Sequence, residues 1–198
     1  NYPLWVIVGV ITWGYFSQSL NGAITSLTHN AGLIKQVYFP REMFAITKVG
    51  SNLVIAALGL LVAIPFMYYL DITPNGYLLM VPLGLLLVTM LALGVGLLMA
   101  CLNATNRDIE HFFRFVTRAG FFLSPVMWTV EMIPEGSLGY IMVNPMVVPI
   151  TMIRNGIDGR ALGVDSLYVA YSIAFCLLSF LLGSMVFKRF EAGAVKKV

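Results

Sequence analysis

From Asn1 to Ile34 the chain carries no Lys, Arg, Asp or Glu, and after Lys48 the next charged residue is Asp71. A soluble domain, with about a quarter of its residues charged, does not leave such gaps. Here hydrophobic residues make up 59% of the chain, charged residues 11%, and the mean hydropathy is +0.87. The expected fold class is therefore an all-α polytopic membrane protein, one transmembrane domain over residues 1–198. Membrane lipids are its solvent, and no nucleic-acid partner is expected. Cys101 and Cys176 both sit in apolar runs and read as small buried hydrophobes, with no disulfide or metal-ligand spacing.

A bilayer crossing needs about 20 apolar residues at ~1.5 Å rise each. Five stretches satisfy this: about 3–23, 44–70, 77–102, 111–130 and 166–187. Trp5, Trp13 and Tyr15 lie near the ends of the first, as interfacial aromatics do. Pro65 lies near the far end of the second. Between the fourth and fifth, a gate segment over about 132–160 is too apolar for a solvated loop. It is also too interrupted for a span, by Pro134, Gly136, Gly139, Asn144, Pro145 and Pro149. Two short re-entrant helices would reconcile these facts; a pair of helices lying flat at the interface is the plainer alternative.

The cationic residues fix an orientation. Ten of them, Lys35, Arg41, Lys48, Arg107, Arg114, Arg118, Lys188, Arg189, Lys196 and Lys197, fall on the side that holds residues 30–42, and two, Arg154 and Arg160, on the other. The positive-inside rule makes the first side cytoplasmic, the C-terminus included. With five spans the chain would begin outside, so a preceding span is expected.

The charge-bearing interruption Asn30-Ala-Gly-Leu-Ile-Lys-Gln-Val-Tyr-Phe-Pro-Arg-Glu42 mixes Leu33, Ile34, Val37, Tyr38 and Phe39 with Lys35, Arg41 and Glu42, and Pro40 closes it. It reads as a short amphipathic helix, about 28–41, at the membrane surface. No G-x-x-x-x-G-K-[ST] phosphate loop is present, and no acidic residue falls in the middle of a span. Energy must therefore come from outside the chain, and this segment is where a motor would push. No catalytic constellation is visible, so the chain is not expected to be an enzyme. No metal site is expected either, and His29 reads as interfacial.

Three constellations could bear on a cargo. Arg107, His111, Arg114 and Arg118 step by four, three and four along one helical face, a ladder suited to a diphosphate headgroup. The alternative is local pairing of Arg114 with Glu110, Arg107 with Asp108 or a lipid phosphate, and a snorkelling Arg118. Trp13, Tyr15, Phe16, Phe121, Phe122, Trp128 and Tyr140 could offer faces on which a sugar polymer slides; they could equally be lipid-facing filler. Ser124-Pro125 would kink the fourth span and act as a hinge, or be a tolerated membrane proline.

The stretches 30–42, Leu102-Asn-Ala-Thr-Asn-Arg-Asp108, Phe121-Phe-Leu-Ser-Pro-Val126, Ile133-Pro134 and Asn144-Pro-Met146 come in the order and spacing of a known family. The chain resembles the membrane subunits of ABC-2-type exporters of cell-surface polymers, including O-antigen, capsule, galactan and wall teichoic acid. The resemblance implies six spans, of which these are the second onward. It implies a homodimer with a channel between the copies, and two ATP-binding cassette subunits that hold ATP and Mg. No cofactor is expected in this chain itself. Residues 28–41 become the coupling helix, and Pro134, Asn144 and Pro145 join Ser124 and Pro125 in an outer gate. The cargo implied is a polymer on undecaprenyl diphosphate, with a lean toward teichoic acid from Arg118-Ala-Gly-Phe-Phe-Leu-Ser-Pro-Val-Met-Trp128. An ABC-2 exporter of a drug or small lipid, and a polytopic enzyme acting on lipid-linked sugars, stand as alternatives.

Overall fold

The computed structural model describes residues 2–36, 40–133 and 138–195; all its regular elements among these are helical. In chain order they are α1 (Tyr2–Ile24), α2 (Ser26–His29), α3 (Ala31–Gln36), α4 (Glu42–Leu60), α5 (Ala63–Tyr69), α6 (Met80–Asn103), α7 (Asp108–Leu123), α8 (Leu138–Met142), α9 (Val147–Asp158) and α10 (Ser166–Val195). Single 3₁₀ turns at Gly76–Leu79 and Val130–Met132 lead into α6 and follow α7.

Helix α6 is the hub, packed against α1, α4, α9 and α10. Its sequence explains why. It has no charged residue, and small residues let neighbours approach on several sides, as in membrane helix packing. A Cβ on Gly94 would stand 2.4 Å from the Ser179 carbonyl carbon of α10, and one on Gly183 only 2.0 Å from the Gly94 carbonyl oxygen. On another side, a Cβ on Gly96 would meet the Ala23 methyl of α1 at 2.4 Å, and one on Gly84 would meet Ile153 of α9 at 2.6 Å. Side chains at these positions would hold the helices apart.

Among the described residues, three helical stretches are long and apolar enough to cross a membrane: Glu42–Tyr69, Gly76–Asn103 and Ser166–Glu191. They correspond to the second, third and fifth expected spans. The second is interrupted at Leu61-Val62. Pro65 has no N–H to give the Leu61 carbonyl, and the chain tightens ahead of it into three-residue bonds, Leu61 N–H to Leu58 O at 3.2 Å and Val62 N–H to Gly59 O at 3.1 Å. The expected continuous helix over 44–70 is thus α4 and α5 with a tighter turn between them.

The first expected span is realised as α1, 23 residues long, but its second half carries Ser17, Gln18, Ser19 and Asn21. The fourth departs further from expectation. Helix α7 begins at Asp108 and ends at Leu123, 16 residues in all, rather than running over 111–130. Pro125 disfavours the helical conformation for the residue before it, and here Ser124 is extended at φ −95° and ψ 152°. The proline therefore ends the helix instead of kinking it. After it the chain folds back through the 3₁₀ turn toward α8.

The broken segment forms α8 and α9 with a turn at Asn144-Pro145. Helix α9 is deeply buried: Val147, Val148, Ile150 and Ile153 are enclosed by α1, α6 and α10. Gly159, at φ +71°, ends it in the left-handed conformation that glycine adopts without penalty.

Candidate functional site

Where α1 ends and α4 and α7 begin, the cations concentrate, and this is called the basic end below. Two adjoining polar clefts open here, of about 490 and 470 Å³, and share Gly22, Thr25, His29 and Lys48 as lining. The first also takes Asn21 from α1 and Glu110, Arg114 and Arg118 from α7. The stem of Lys48 crosses α1 at Gly22, where a Cβ would fall 2.6 Å from its Cγ. Glycine at this position is what lets the Lys48 chain lie across the helix.

The basic ladder expected on α7 is thus divided. Arg114 and Arg118 face the cleft; Arg107 and His111 are exposed but do not line it. Arg114 is paired with Glu110 one turn back, the local alternative named above. Two cleft residues were not anticipated as part of the set: Lys48, counted only for its sidedness, and His29, read as interfacial. Nothing in sequence spacing could have joined α4 and α2 to α7.

The recognised motifs acquire physical roles. Asn103 is fully buried at the end of α6 and holds two neighbours at once: its Nδ2 donates to the Ile24 carbonyl of α1 at 3.3 Å, and its Oδ1 accepts from the Glu110 N–H of α7 at 3.1 Å. Asn106 accepts from the Asp108 N–H at 3.2 Å, an Asx turn that leads the chain into α7. At the opposite end, Asn144 donates to the Ser124 hydroxyl at 2.9 Å and accepts from the Met146 N–H at 3.0 Å. Ser172 of α10 donates to the Pro145 carbonyl at 2.9 Å. Of the expected gate residues, Ser124, Asn144 and Pro145 are thereby brought together. Pro134 lies outside the described residues.

The expected sliding aromatics do not form one surface. Trp13, Tyr15 and Phe16 are buried in helix packing: Trp13 donates its indole N–H to the Thr117 carbonyl of α7 at 3.2 Å, the Tyr15 and Thr89 hydroxyls lie 2.7 Å apart, and Phe16 tilts against Trp13 at 5.3 Å between ring centroids. Their surfaces are taken up inside the chain, which corrects the expectation for these three. Phe121 is half-buried and packs edge-on against Phe122. Phe122 and Tyr140 are exposed, at 72% and 86%. Trp128 is half-buried and donates its indole N–H to the Phe122 carbonyl at 3.3 Å.

In the expected coupling segment, α2 and α3 replace a single helix, with Asn30 between them donating to the Ser26 carbonyl at 2.8 Å. Leu33 is exposed, α3 covers Ile34 and Lys35, and Pro40 and Arg41 precede α4. Glu42 faces Lys188 of α10 at 3.8 Å. Val37, Tyr38 and Phe39 lie outside the described residues.

Arg154 is the residue that sequence reasoning misplaced. Counted as an outer surface charge, it is 4% exposed within α9. Its Nε donates to the Trp5 carbonyl at 2.9 Å, one Nη to the Trp128 carbonyl at 2.9 Å and the other to the Val126 carbonyl at 2.5 Å. The guanidinium so staples α9 to the start of α1 and to the chain after Pro125. Gly9 makes room for it, since a Cβ there would lie 2.3 Å from Nη2. A lone cation inside an otherwise apolar helix was the available signal.

Residues 1–157 match the family model described as ABC-2 type transporter. The O-antigen export system permease protein RfbA of Klebsiella pneumoniae is 26% identical over 196 residues, which is 96% of this chain and 73% of that protein. A protein of the same description from Myxococcus xanthus is 26% identical over 74% of this chain and 57% of its own length. The polysialic acid transport protein KpsM of Escherichia coli is 22% identical over 96% of this chain and 74% of its own. With a family match over most of its length and a helical bundle built on apolar membrane-length helices, the chain belongs to the ABC-2 type transporter family, as an integral membrane transport subunit and not an enzyme.

Proposed function

We propose that the chain is the permease subunit of an ATP-driven exporter that carries a lipid-linked surface polymer across the bacterial cell membrane. The observation that carries this reading is its likeness, over nearly its whole length, to two proteins named for O-antigen export and polysialic acid transport. The cargo is a glycan, or a wall teichoic acid, on undecaprenyl diphosphate. A charged headgroup facing the cytoplasm needs cations there, and the cleft lined by Lys48, Arg114 and Arg118 supplies them. A small-lipid or drug cargo is the rival within the same family.

In this reading α1, α4–α5, α6, α7 and α10 cross the membrane, with the basic end and the C-terminus cytoplasmic. Two copies enclose the channel, and two ATP-binding cassette subunits, holding ATP and Mg, dock under residues 28–41. Helix α9, buried and tied to α1 by Arg154, enters from the outer face as the re-entrant gate with α8.

The test is co-expression with the cognate ATPase and measurement of surface polymer. Substitutions at Phe39, Pro40 or Arg41 are expected to lower both export and transport-stimulated ATP hydrolysis while leaving the permease inserted. Normal export by these variants removes the coupling role. Identifying the lipid-linked molecule that co-purifies decides between polymer and small lipid.

A further inference from the structure

Away from the basic end, α4, α5, α6 and the turn that joins them enclose a pocket of about 860 Å³. Its floor is packed core: Leu60, Ala63 and Ile157 are buried, in one cluster with Leu4 and Val8 of α1. Leu61, Ile64 and Leu79 stand exposed at its mouth. The pocket offers nothing to a polar ligand. Among its described lining residues only Asn75 and Tyr68 carry polar side chains. Both ends of the Asn75 amide are taken: Nδ2 donates to the Gly159 carbonyl at 2.9 Å and Oδ1 accepts from the Tyr77 N–H at 3.1 Å. Tyr68 is 88% exposed and so faces the surroundings. The Leu61 carbonyl, which Pro65 cannot answer, accepts from the Ile64 N–H at 3.0 Å.

Water does not fill such a space, because an ordered water needs two or more polar partners. Nor does a packed protein leave a void of this size empty. All of its walls except Ile72, Pro74, Asn75 and Ile157 belong to the two membrane-length stretches Glu42–Tyr69 and Gly76–Asn103, so hydrocarbon is the solvent at its mouth. A straight membrane-crossing helix would run into the turn at 72–76, which lines one end of the pocket; a flexible chain can enter from the side. We infer that the pocket holds an acyl chain of a phospholipid, from the leaflet opposite the basic end, as a fixed part of the structure. Ile157 puts α9 in direct contact with that chain. The pocket's walls also carry the end of α9: a Cβ on Gly156 would lie 3.0 Å from the Tyr77 carbonyl and 3.1 Å from a Val81 methyl. An occupied pocket therefore braces the wall on which α9 rests. The site depends only on α4, α5 and α6 lying in the membrane. That the leaflet is the outer one, and α9 a gate, rests on the exporter reading above.

The test uses the full-length permease with its ATPase partner in nanodiscs of phosphatidylethanolamine and phosphatidylglycerol. A trace of the phosphatidylglycerol carries a diazirine in one acyl chain. After photolysis, mass spectrometry is expected to find adducts on residues 57–85 in preference to the exposed apolar face of α10. Ala57→Phe and Leu79→Trp, both at exposed positions, should cut that capture about tenfold, as excluding about two methylenes from the pocket does. Leu178→Phe on α10 should leave it unchanged. Equal adducts on the two faces, or full capture in both pocket variants, overturns the site. Displacement of the probe by an equal amount of undecaprenyl phosphate overturns the phospholipid and gives the pocket to a polyprenyl tail. Efficient cross-linking of Ile64→Cys between two copies, with no lipid adduct, gives it to a second copy and also overturns the inference. The brace is read separately. Stripping lipid with detergent should speed amide exchange over 153–158 in the wild type, and less in Ala57→Phe, whose ring takes the place of the chain. Equal acceleration in both overturns the brace. Polymer export by the wild-type complex is measured in parallel. Export without capture removes this inference alone; capture without export removes the exporter reading and leaves the site.

Discussion

Arg154 shows how one side chain can hold several segments. Its burial is tolerated because three carbonyls surround the guanidinium fork. Removing it leaves those carbonyls unpaired in an apolar interior. Arg154→Met should lower stability by about 3 kcal/mol or more, since each of the three buried acceptors left unanswered costs about 1–3 kcal/mol, read as a drop in the thermal midpoint of the detergent-solubilised protein. Arg154→Lys should fall between, as an ammonium lacks the planar fork that fits three acceptors. Gly9→Ala should mimic the loss, because its methyl would occupy the space of Nη2. At the other end, Asn103→Leu should cost about 1–3 kcal/mol by leaving the Glu110 N–H and Ile24 carbonyl unanswered; the start of α7 should then exchange amide protons faster. Neither residue's partners were legible in the sequence. Asn103 was visible only as one letter of a motif, and Arg154 was counted only for its side of the membrane. Long-range hydrogen bonds to backbone leave no periodic trace.

At the scale of elements, the apolar runs gave the helices well, because length and hydropathy depend on local composition alone. The boundaries failed where proline acted on a residue other than itself. Ser124 is extended ahead of Pro125, so α7 stops about two turns before the apolar run does. Pro125→Ala should let α7 continue toward Trp128. Cysteine substitutions at Met127 should then lose accessibility to a water-soluble thiol reagent, and unchanged labelling would place the helix end under other control. The break between α4 and α5 has a different cause, the N–H that Pro65 lacks, and Ile64 before that proline stays helical. The α6–α10 contact is set by glycine on both sides. Gly183→Leu should force the two helices apart and expose the Gly94 face to limited proteolysis, with a loss well above that of an ordinary surface change.

For the whole molecule, the asymmetry of charge is the property most easily read from sequence, and it is also the one that the candidate site uses. The sided distribution of Lys and Arg requires no knowledge of packing. The cleft does, since it forms only when α1, α4 and α7 meet. Topology is directly measurable: a cysteine placed at Arg107 should react with a membrane-impermeant reagent only from the cytoplasm, and one at Tyr140 only from outside. Reaction of both from one side removes the orientation. The same experiment on the buried α9 residues Val148, Ile150 and Ile153 should show protection from both sides unless transport opens the gate.

The Arg154 staple has a consequence for how freely the rest of the chain can change. All three of its partners are main-chain carbonyls. Every amino acid offers one, so the identities of Trp5, Val126 and Trp128 are not written into the bond. In a saturation mutagenesis library selected for function, position 154 should accept almost nothing, and position 9 little beyond glycine. Positions 5, 126 and 128 should be limited only by shape and hydrophobicity. The information that joins α9 to α1 and to the chain after Pro125 is thus held almost entirely by a single codon.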